Sequence, residues 1–589
     1  MASPDATVEP SAAEPPLVVT VLPDVTGLDR VFDYVVPDDL LGVVGIGSRV
    51  RVPLHGRRVG GWVLAMGPES SGVAVGALKS IVSSSGLGPD ADLVDLASWA
   101  ARRWGVGRLR PFMVAASPDH VVNRAATPRR TVVRAEPSSP AAAALLADGG
   151  GVLRLPPTAD QLPAVLSAAR LGPTLVVTPS VDGAALLAQR LRRAGISVAS
   201  VPDEWAAARG GVDVVIGSRR AAWAPCPGLA AAVVLDEHDE SLQEERSPTW
   251  NARDVVAERA RRAGAPLLLV SPCPTVIGAH GRVVVAPPPD RERAGWPEVR
   301  IVDRSEVEPW RRSLLSSELI AELRDHSRRV VCVINTTGFA RLLACRSCRA
   351  IVRCDGCGSA SSESGDGTLS CAACGLVRSR LCDACGSTNL ARVRPGTARL
   401  RLEIEQASHR EVVEMAGAAK DVLDDGRVDV FVGTEAVLHR VRRADSVWFL
   451  DFDSELLAPR YRAHEQAIAL VARAARLVGP SRSGGVVCLQ TNVPTHPVVA
   501  ALARVDLAGS ARLESERRRE ASLPPYSALA LLEGEGSEET ASSLGLPTAR
   551  WGDGWLVRAN DHESLGVALT ATPRDPARKV RVVVDPPRV

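Results

Sequence analysis

Between residues 17 and 66 apolar positions alternate with polar ones in short runs, LVVTVL, RVFDYVV, SRVRVPL and GGWVLA, punctuated by glycine and proline. Period-two alternation places every second side chain on one face of a strand, so a small β-rich domain is expected here. Residues 91–104, ADLVDLASWAARRW, change to helical spacing and are expected to close that domain. From Gly151 the pattern changes again. The runs VLRL, TLVVTPS, VDVVIGS, AAVVLDEHDE and PLLLVSP are continuously apolar and β-branched, and amphipathic stretches such as LLAQRLRRAG separate them. Strands of that kind between helices predict a parallel sheet covered on both faces. A second set runs through RRVVCVIN, VDVFVGT, SVWFLDFD and GGVVCLQT. The expected architecture is a multidomain α/β protein with two tandem lobes. Its parts are a disordered leader at 1–15, a β-rich domain at 16–115, a linker or shrunken domain at 116–150 and a first lobe at 151–295. A second lobe at 296–343 and 393–495 is interrupted by a cysteine module at 344–392, and a small α+β domain at 496–589 follows.

A net charge of +2 says little about nucleic acid, because a multidomain chain can hold a basic groove within a balanced total. The kind of base is more telling: of 70 basic residues only Lys79, Lys420 and Lys579 are lysine, so each is conspicuous against an arginine background that a GC-rich genome explains. No apolar run approaches the ~20 residues that span a bilayer. The opening MASPDATVEPSAAEPP lacks the basic and apolar regions of a secretory signal. A cytoplasmic, reducing setting is therefore expected, where clustered cysteines are read first as metal ligands.

Eight cysteines form four C-x-x-C pairs: Cys345 with Cys348, Cys354 with Cys357, Cys371 with Cys374, and Cys382 with Cys385. That spacing lets two thiolates of one tight turn reach the same ion at about 2.3 Å, and two turns complete a tetrahedron. Four pairs make two sites. Gly358, Gly375 and Gly386 follow three of the pairs and supply the permissive backbone such a turn needs, whereas Arg349 follows the first. Zinc held by four thiolates leaves no open coordination position, so a structural role is expected; free thiols, a redox dithiol and iron–sulfur ligation are the other readings. Spacing alone leaves nested, adjacent and alternating pairings open.

Two tandem α/β lobes with DEHD after a buried strand suggest a nucleic-acid-stimulated ATPase, which needs a glycine-rich loop and lysine to cradle phosphates. After VLRL the chain instead reads PPTADQLPAV: the two leading prolines remove N–H donors, no glycine opens the turn, and no lysine occurs between Lys79 and Lys420. Nucleotide-binding and catalytic residues are therefore not expected, nor is ATP as a cofactor.

From about residue 16 onward the chain resembles the PriA (primosomal protein N′) family of replication-restart proteins. The stretches that carry the resemblance include LDRVFDYVVP, GSRVRVP, VVIGSRRAAW, HDESLQEERSPTWNARD, INTTGFARLLACRSC, LDFDSELLAPRYRAHE, QTNVPTHPVVAAL and ERRREASLPPYSALALL, in the family's order. The resemblance implies two RecA-like helicase lobes and nested zinc sites, one on Cys345, Cys348, Cys382 and Cys385, the other on Cys354, Cys357, Cys371 and Cys374. It implies a pocket for a DNA 3′ end formed by Phe32, Asp33 and Tyr34, with Lys79 on phosphate, and a winged-helix segment reduced to 116–150. His55-Gly56 stands where the family has Phe-Gly.

The departures fall on the engine. The family's D-E-E-H-D becomes Leu235-Asp236-Glu237-His238-Asp239, its SATPS becomes Ser271-Pro272-Cys273-Pro274-Thr275, and its GRAGR becomes Arg473-Ala474-Ala475-Arg476 without glycines. The lysine-glycine element after Val432-Gly433-Thr434 is missing as well. Arg517-Arg518-Arg519 is read either as a phosphate contact or as a solvated helix face. The function expected is recognition of stalled or abandoned forks and recruitment of primosome or replicative helicase-loading proteins, with single-stranded DNA-binding protein a further candidate partner, no membrane contact, and a place on the nucleoid. The rival readings are an ATP-dependent 3′-to-5′ helicase with a rebuilt nucleotide site and a zinc-ribbon scaffold without fork specificity.

Overall fold

A computed structural model describes the chain apart from residues 1–15, 68–73, 132–138, 307–312, 335–342, 349, 357, 359–360, 364–366, 372–374, 393–396, 416–425 and 574–577. The expected leader, Lys420, Cys357 and Cys374 thus lie outside the described residues.

The alternating N-terminal runs form an antiparallel sheet in the order Phe32–Val35, Val18–Pro23, Arg57–Gly67, Arg49–Leu54, Ser83–Ser84. Residues 79–81 then cross back to the first strand: Val35 N–H donates to the Lys79 carbonyl and Ile81 N–H to the Val35 carbonyl, both at 3.0 Å. The sheet closes into a barrel, which leaves no edge to pair with another chain. Val19, Val21, Tyr34, Val50, Val52, Val63 and Ile81 fill it. On its outer face Leu22 and Trp62 are buried against helices Ala91–Arg103 and Arg110–Ala116, with Trp62 Nε1 donating to Ser117 Oγ at 2.8 Å. Residues 117–131 are an extended strap along the first lobe. It is tied down by Ala126 N–H on the Ala206 carbonyl, Arg129 N–H on the Gly211 carbonyl, Thr131 on Asp213, and an Asp119–Arg220 ion pair.

The first lobe is a seven-stranded sheet, every pairing parallel, in the order Val284–Val285, Gly150–Arg154, Leu267–Ser271, Ala231–Leu235, Thr174–Val177, Val214–Gly217, Val198–Ser200. Helix Pro140–Ala147 buries Ala142, Leu145 and Leu146 in the core of this sheet. Residues 140–147, expected in the linker, therefore belong to the lobe. The second lobe is a six-stranded parallel sheet: Glu298–Asp303, Val486–Thr491, Ser446–Phe449, Val330–Val333, Val430–Gly433, Val412–Met415. Between its strand Val330–Val333 and helix Thr397–Ser408 the chain leaves to build the cysteine module on short antiparallel pairs. The C-terminal unit is a four-stranded antiparallel sheet with helices Ser537–Ser543 and His562–Ala571.

Barrel helices, first lobe and C-terminal unit share one apolar core that includes Trp62, Trp104, Phe112, Trp223, Trp250 and Leu565. The approach is closest at Gly566, where a Cβ would stand 2.3 Å from the Arg102 carbonyl oxygen. Next to it Arg103 lies between Asp254 (3.6 Å) and Asp585 (3.4 Å), and His562 Nε2 meets the same Asp585 oxygen, Oδ2, at 2.6 Å. The Arg517–Arg519 triplet belongs to this architecture as well. Arg518 has no exposed side-chain surface and pairs with Glu465 and Glu514, so it is neither a solvated face nor a phosphate contact.

Candidate functional site

At the barrel, register decides what each residue of the Phe32-Asp33-Tyr34 segment can do. Val21 pairs with Phe32, Thr20 with Asp33 and Val19 with Tyr34, so Phe32 and Tyr34 point inward and Asp33 outward. Tyr34 is a core residue, 3% exposed, with its hydroxyl donating to the Pro53 carbonyl at 3.2 Å; its ring cannot stack on a base. Phe32 sits one step nearer the barrel mouth, half-buried, with the Arg30 guanidinium 5.7 Å from its ring centroid. Asp33 is partly exposed and accepts from Thr20 Oγ1 at 2.8 Å, which orients the carboxylate. Lys79 is exposed on the segment that closes the barrel beside Val35. Tertiary closure thus brings Lys79 to the strand that carries Phe32 and Asp33.

In the cysteine module the Sγ atoms of Cys345, Cys348, Cys382 and Cys385 all lie within 4.8 Å of one another, with Cys345–Cys385 at 3.6 Å and Cys348–Cys382 at 3.4 Å. Four thiolates around one ion at about 2.3 Å stand about 3.8 Å apart, so this set could hold a metal ion. Strand Leu343–Cys345 pairs with Leu390–Arg392 and thereby brings the first and last cysteine pairs together. Gly358, Gly375 and Gly386 have φ of 73°, 76° and 71°, and each donates its N–H to the carbonyl of Cys354, Cys371 and Cys382 respectively. The same closed turn therefore recurs at the buried Cys354 and Cys371.

The third candidate lies at the carboxyl ends of the first lobe's strands, where open α/β sheets bind ligands. A cavity of about 690 Å³ is lined there by residues 157–162, Thr178, Ser180, Asp236, Asp239, Arg473 and Arg476. Leu235 ends its strand inside the core, so no carboxylate stands at that position. Asp236 is taken by Arg476 through a forked ion pair and by Gln161 Nε2 at 2.9 Å. Arg473 binds Asp239 at 2.6 Å and also Glu435. Arg476 Nε donates to the Pro157 carbonyl at 3.0 Å. Asp160 accepts the Leu162 N–H at 3.0 Å and pairs with Arg190, which puts a carboxylate at the helix start where a phosphate would otherwise be held. Helix Ala463–Val478 supplies Glu465, Gln466, Arg473 and Arg476 from one face: Glu465 accepts the Val276 N–H at 2.6 Å, and Gln466 bonds Glu240 and the Pro587 carbonyl. Gln466, Glu240 and Asp160 were not singled out from the sequence: Gln466 belongs to a polar face on an otherwise apolar helix, a common pattern, and Glu240 and Asp160 lie in turns.

Behind the cavity Glu237 accepts from both the N–H and hydroxyl of Thr275, at 2.6 and 3.0 Å, and faces Arg253. Burial raises its pKa despite Arg253. For Asp236, burial works upward, but the Arg476 guanidinium prevails and the carboxyl stays below its usual range. His238, whose Nδ1 lies 2.8 Å from Ser271 Oγ, is pushed down to about 4 by burial, with Arg476 and Arg473 opposing its charge and Asp236 and Asp239 favouring it. A ring that titrates near 6.5 when unfolded therefore takes its proton in the unfolded chain first. The stability it contributes is complete above about pH 6.5 and is lost as pH falls toward 4, by about 3 kcal/mol. The His238→Gln variant is expected to show a flatter fall in unfolding free energy between pH 6.5 and 4 by urea titration; a slope equal to that of the unsubstituted chain counts against this assignment.

Residues 18–109 match the sequence model of the PriA 3′DNA-binding domain, and with it the barrel and its closing helix. The probable replication restart protein PriA of Mycobacterium tuberculosis is 29% identical over 87% of this chain and 86% of its own length. The chain is a relative of the PriA proteins. The Synechocystis and Bacillus subtilis replication restart proteins PriA are each 27% identical, over 62% and 57% of this chain. The matched parts make up 49% and 45% of their own lengths, so the chain spans about half of these relatives. Among solved structures, Saccharomyces cerevisiae Dbp5 bound to RNA and ADP BeF3 aligns with 62% of this chain and 88% of its own at 10% identity and a TM-score of 0.33, too slight a likeness to carry an argument. Phe32, Asp33 and Lys79 all fall inside the matched DNA-binding domain. Among the described residues no helix is long and apolar enough to cross a membrane.

Proposed function

We propose that this PriA relative recognises forked DNA presenting a 3′ end and serves replication restart by recruiting helicase-loading partners, without an ATP-driven engine of its own. The observation that carries the reading is the occupied cleft. Asp236 and Asp239, which a nucleotide-dependent enzyme would use on metal and water, are consumed by Arg476 and Arg473, the arginines that would otherwise meet a phosphate. With proline at 156 and 157 and Asp160 at the helix start, the backbone N–H nest that holds a phosphate tightly does not form at this turn. The lobes then act as a scaffold between the barrel and the cysteine module, whose two nested structural zinc sites hold a surface for DNA or protein partners. At the barrel, Phe32 offers a face for the terminal base and Asp33 an acceptor for a free 3′-hydroxyl that repels a phosphorylated end.

A second reading, an ATP-driven 3′-to-5′ helicase with a rebuilt site, draws on the cavity that persists at the strand ends. One assay separates them: ATP turnover by the zinc-loaded chain with saturating forked DNA. Background hydrolysis is expected, and robust turnover abolished by Asp236→Ala would overturn the reading without an engine. In the same preparation a 3′-phosphate on the leading strand is expected to weaken fork binding, an effect that Asp33→Asn removes; equal affinities for both ends in the unsubstituted chain count against Asp33.

A further inference from the structure

We propose that the hairpin joining strands Arg49–Leu54 and Arg57–Gly67 is a phosphate-binding strip, formed by Arg51, Arg57 and Arg58, that holds the DNA backbone just behind the end offered to the barrel mouth. The inference rests on the reading that the barrel binds DNA, and adds to it a surface of its own.

Register places the strip. Val21 pairs with Phe32 on one side and Val63 on the other, and two residues further on Pro23 pairs with Gly61, so the strand that continues from Gly61 toward the hairpin passes beyond Phe32 at the same end of the barrel. The hairpin turn at His55 and Gly56, with φ of 46° and 77°, overhangs that same end of the barrel. Arg51 pairs with Gly60 and Pro53 with Arg58, which sets Arg51 and Arg58 diagonally on the outer face, about 7–8 Å apart along the backbone. The helices that bury Trp62 on this face stop short of them: Arg51, Arg57 and Arg58 are all exposed.

Charge gives the strip its partner. Two arginines that follow the barrel are committed to carboxylates, Arg108 to Asp29 and Arg110 to Asp24. For Arg51, Arg57 and Arg58 no ion pair is found among the described residues. Asp24, whose Cβ lies 3.9 Å from where a Cβ on Gly60 would stand, is held by Arg110 and leaves the strip positive. Gly60 opposite Arg51 adds no side chain, so a backbone can approach the sheet closely there. Arg30 above Phe32 extends the basic surface to the mouth. Arg51 and Arg58 on the outer face, with Arg57 on the alternate face beside the turn, set three guanidinium groups near an aromatic mouth and fit a sugar-phosphate chain, which offers forked acceptors to arginine and a terminal base to stack.

The test is fork binding by fluorescence anisotropy over a series of salt concentrations, with the zinc-loaded full chain. In the triple variant Arg51→Ser, Arg57→Ser, Arg58→Ser, the slope of log affinity against log salt is expected to shrink by about two to three, since each phosphate contact contributes about 0.7–0.9. Affinity near physiological salt is expected to fall by about tenfold or more, and by the same factor for 3′-hydroxyl and 3′-phosphate forks. The matching triple lysine variant keeps the charge and is expected to keep the slope, which separates lost contacts from lost folding. A serine variant with an unchanged slope overturns the strip. Discrimination between the two 3′ ends is the separate measure of Asp33, so the strip and end recognition fail independently.

Discussion

Replacing Cys382 with serine is expected to remove one zinc ion per chain, lowering the metal-to-protein ratio from two to one, and to unfold the part of the module that joins its two ends. The module's own apolar core is small, comprising Leu343, Val352, Leu369 and Leu390 with two of the cysteines. A core of that size cannot offset the backbone entropy of some forty ordered residues. Structural zinc sites contribute about 10–16 kcal/mol of apparent binding energy, most of which is also folding energy. Cys382 lies 3.4 Å from Cys348, and the strand pair Leu343–Cys345 with Leu390–Arg392 depends on the same four thiolates. Loss of amide protection is therefore expected first in those two strands, and the sites on Cys354 and Cys371 are expected to keep their ion. A Cys382→Ser chain that still binds two zinc ions would show that the pairing is not nested.

Arg518→Ala is expected to lower the unfolding free energy by about 3–5 kcal/mol while leaving the salt dependence of DNA binding unchanged. Arg518 donates to Glu514 at 2.7 Å and to Glu465 at 2.5 Å, and its guanidinium carbon is 5.0 Å from the Tyr461 ring centroid. Glu465 in turn accepts the Val276 N–H, so one arginine ties the first lobe, helix Ala463–Val478 and helix Leu507–Glu520 together. Truncation takes the fully buried cation from both carboxylates, leaving Glu514 to Arg517 and His464 and Glu465 to the more distant Arg462, and removing one partner of a buried pair costs more than the pair itself stabilises. Urea titration gives the first quantity and binding across a salt series the second. Stability within 1 kcal/mol of the unsubstituted chain, together with a slope smaller by about one, would return Arg518 to the role of a phosphate contact.

The contrast between those two sites shows where sequence reading stops. Period-two alternation and continuous β-branched runs sufficed to place the barrel strands and the two parallel sheets, because those patterns follow from which faces are buried. The C-x-x-C spacing and trailing glycines located the cysteine turns, of which those at Cys345–Cys348 and Cys382–Cys385 meet in a cluster that could hold a metal ion, since both the ligand reach and the positive φ are local properties. Residues 140–147 were read as linker because an Ala- and Leu-rich run of eight has no periodicity to show which lobe it packs on. Tyr34 and Arg518 are ambiguous for the same reason: both residue types serve either at a surface or in a core, and burial is settled by partners beyond the local run, Pro53 on another strand for Tyr34 and Glu465 on another helix for Arg518.

The cleft is the clearest division. The missing phosphate-loop motif and Leu235 were legible in the chain, because which residues stand at a motif's positions is a property of the sequence itself. That Arg473 and Arg476 turn onto Asp239 and Asp236 was not legible: the partners are separated by 234 and 240 positions, and only the packing of one lobe on the other brings opposite charges to 2.6 Å. The chain by itself determined the strands, the cysteine turns and the absence of a phosphate-loop motif, all of which are local. Tertiary structure alone decided which charges neutralise one another and which arginines, those of the 51–58 hairpin, remain exposed to meet phosphate.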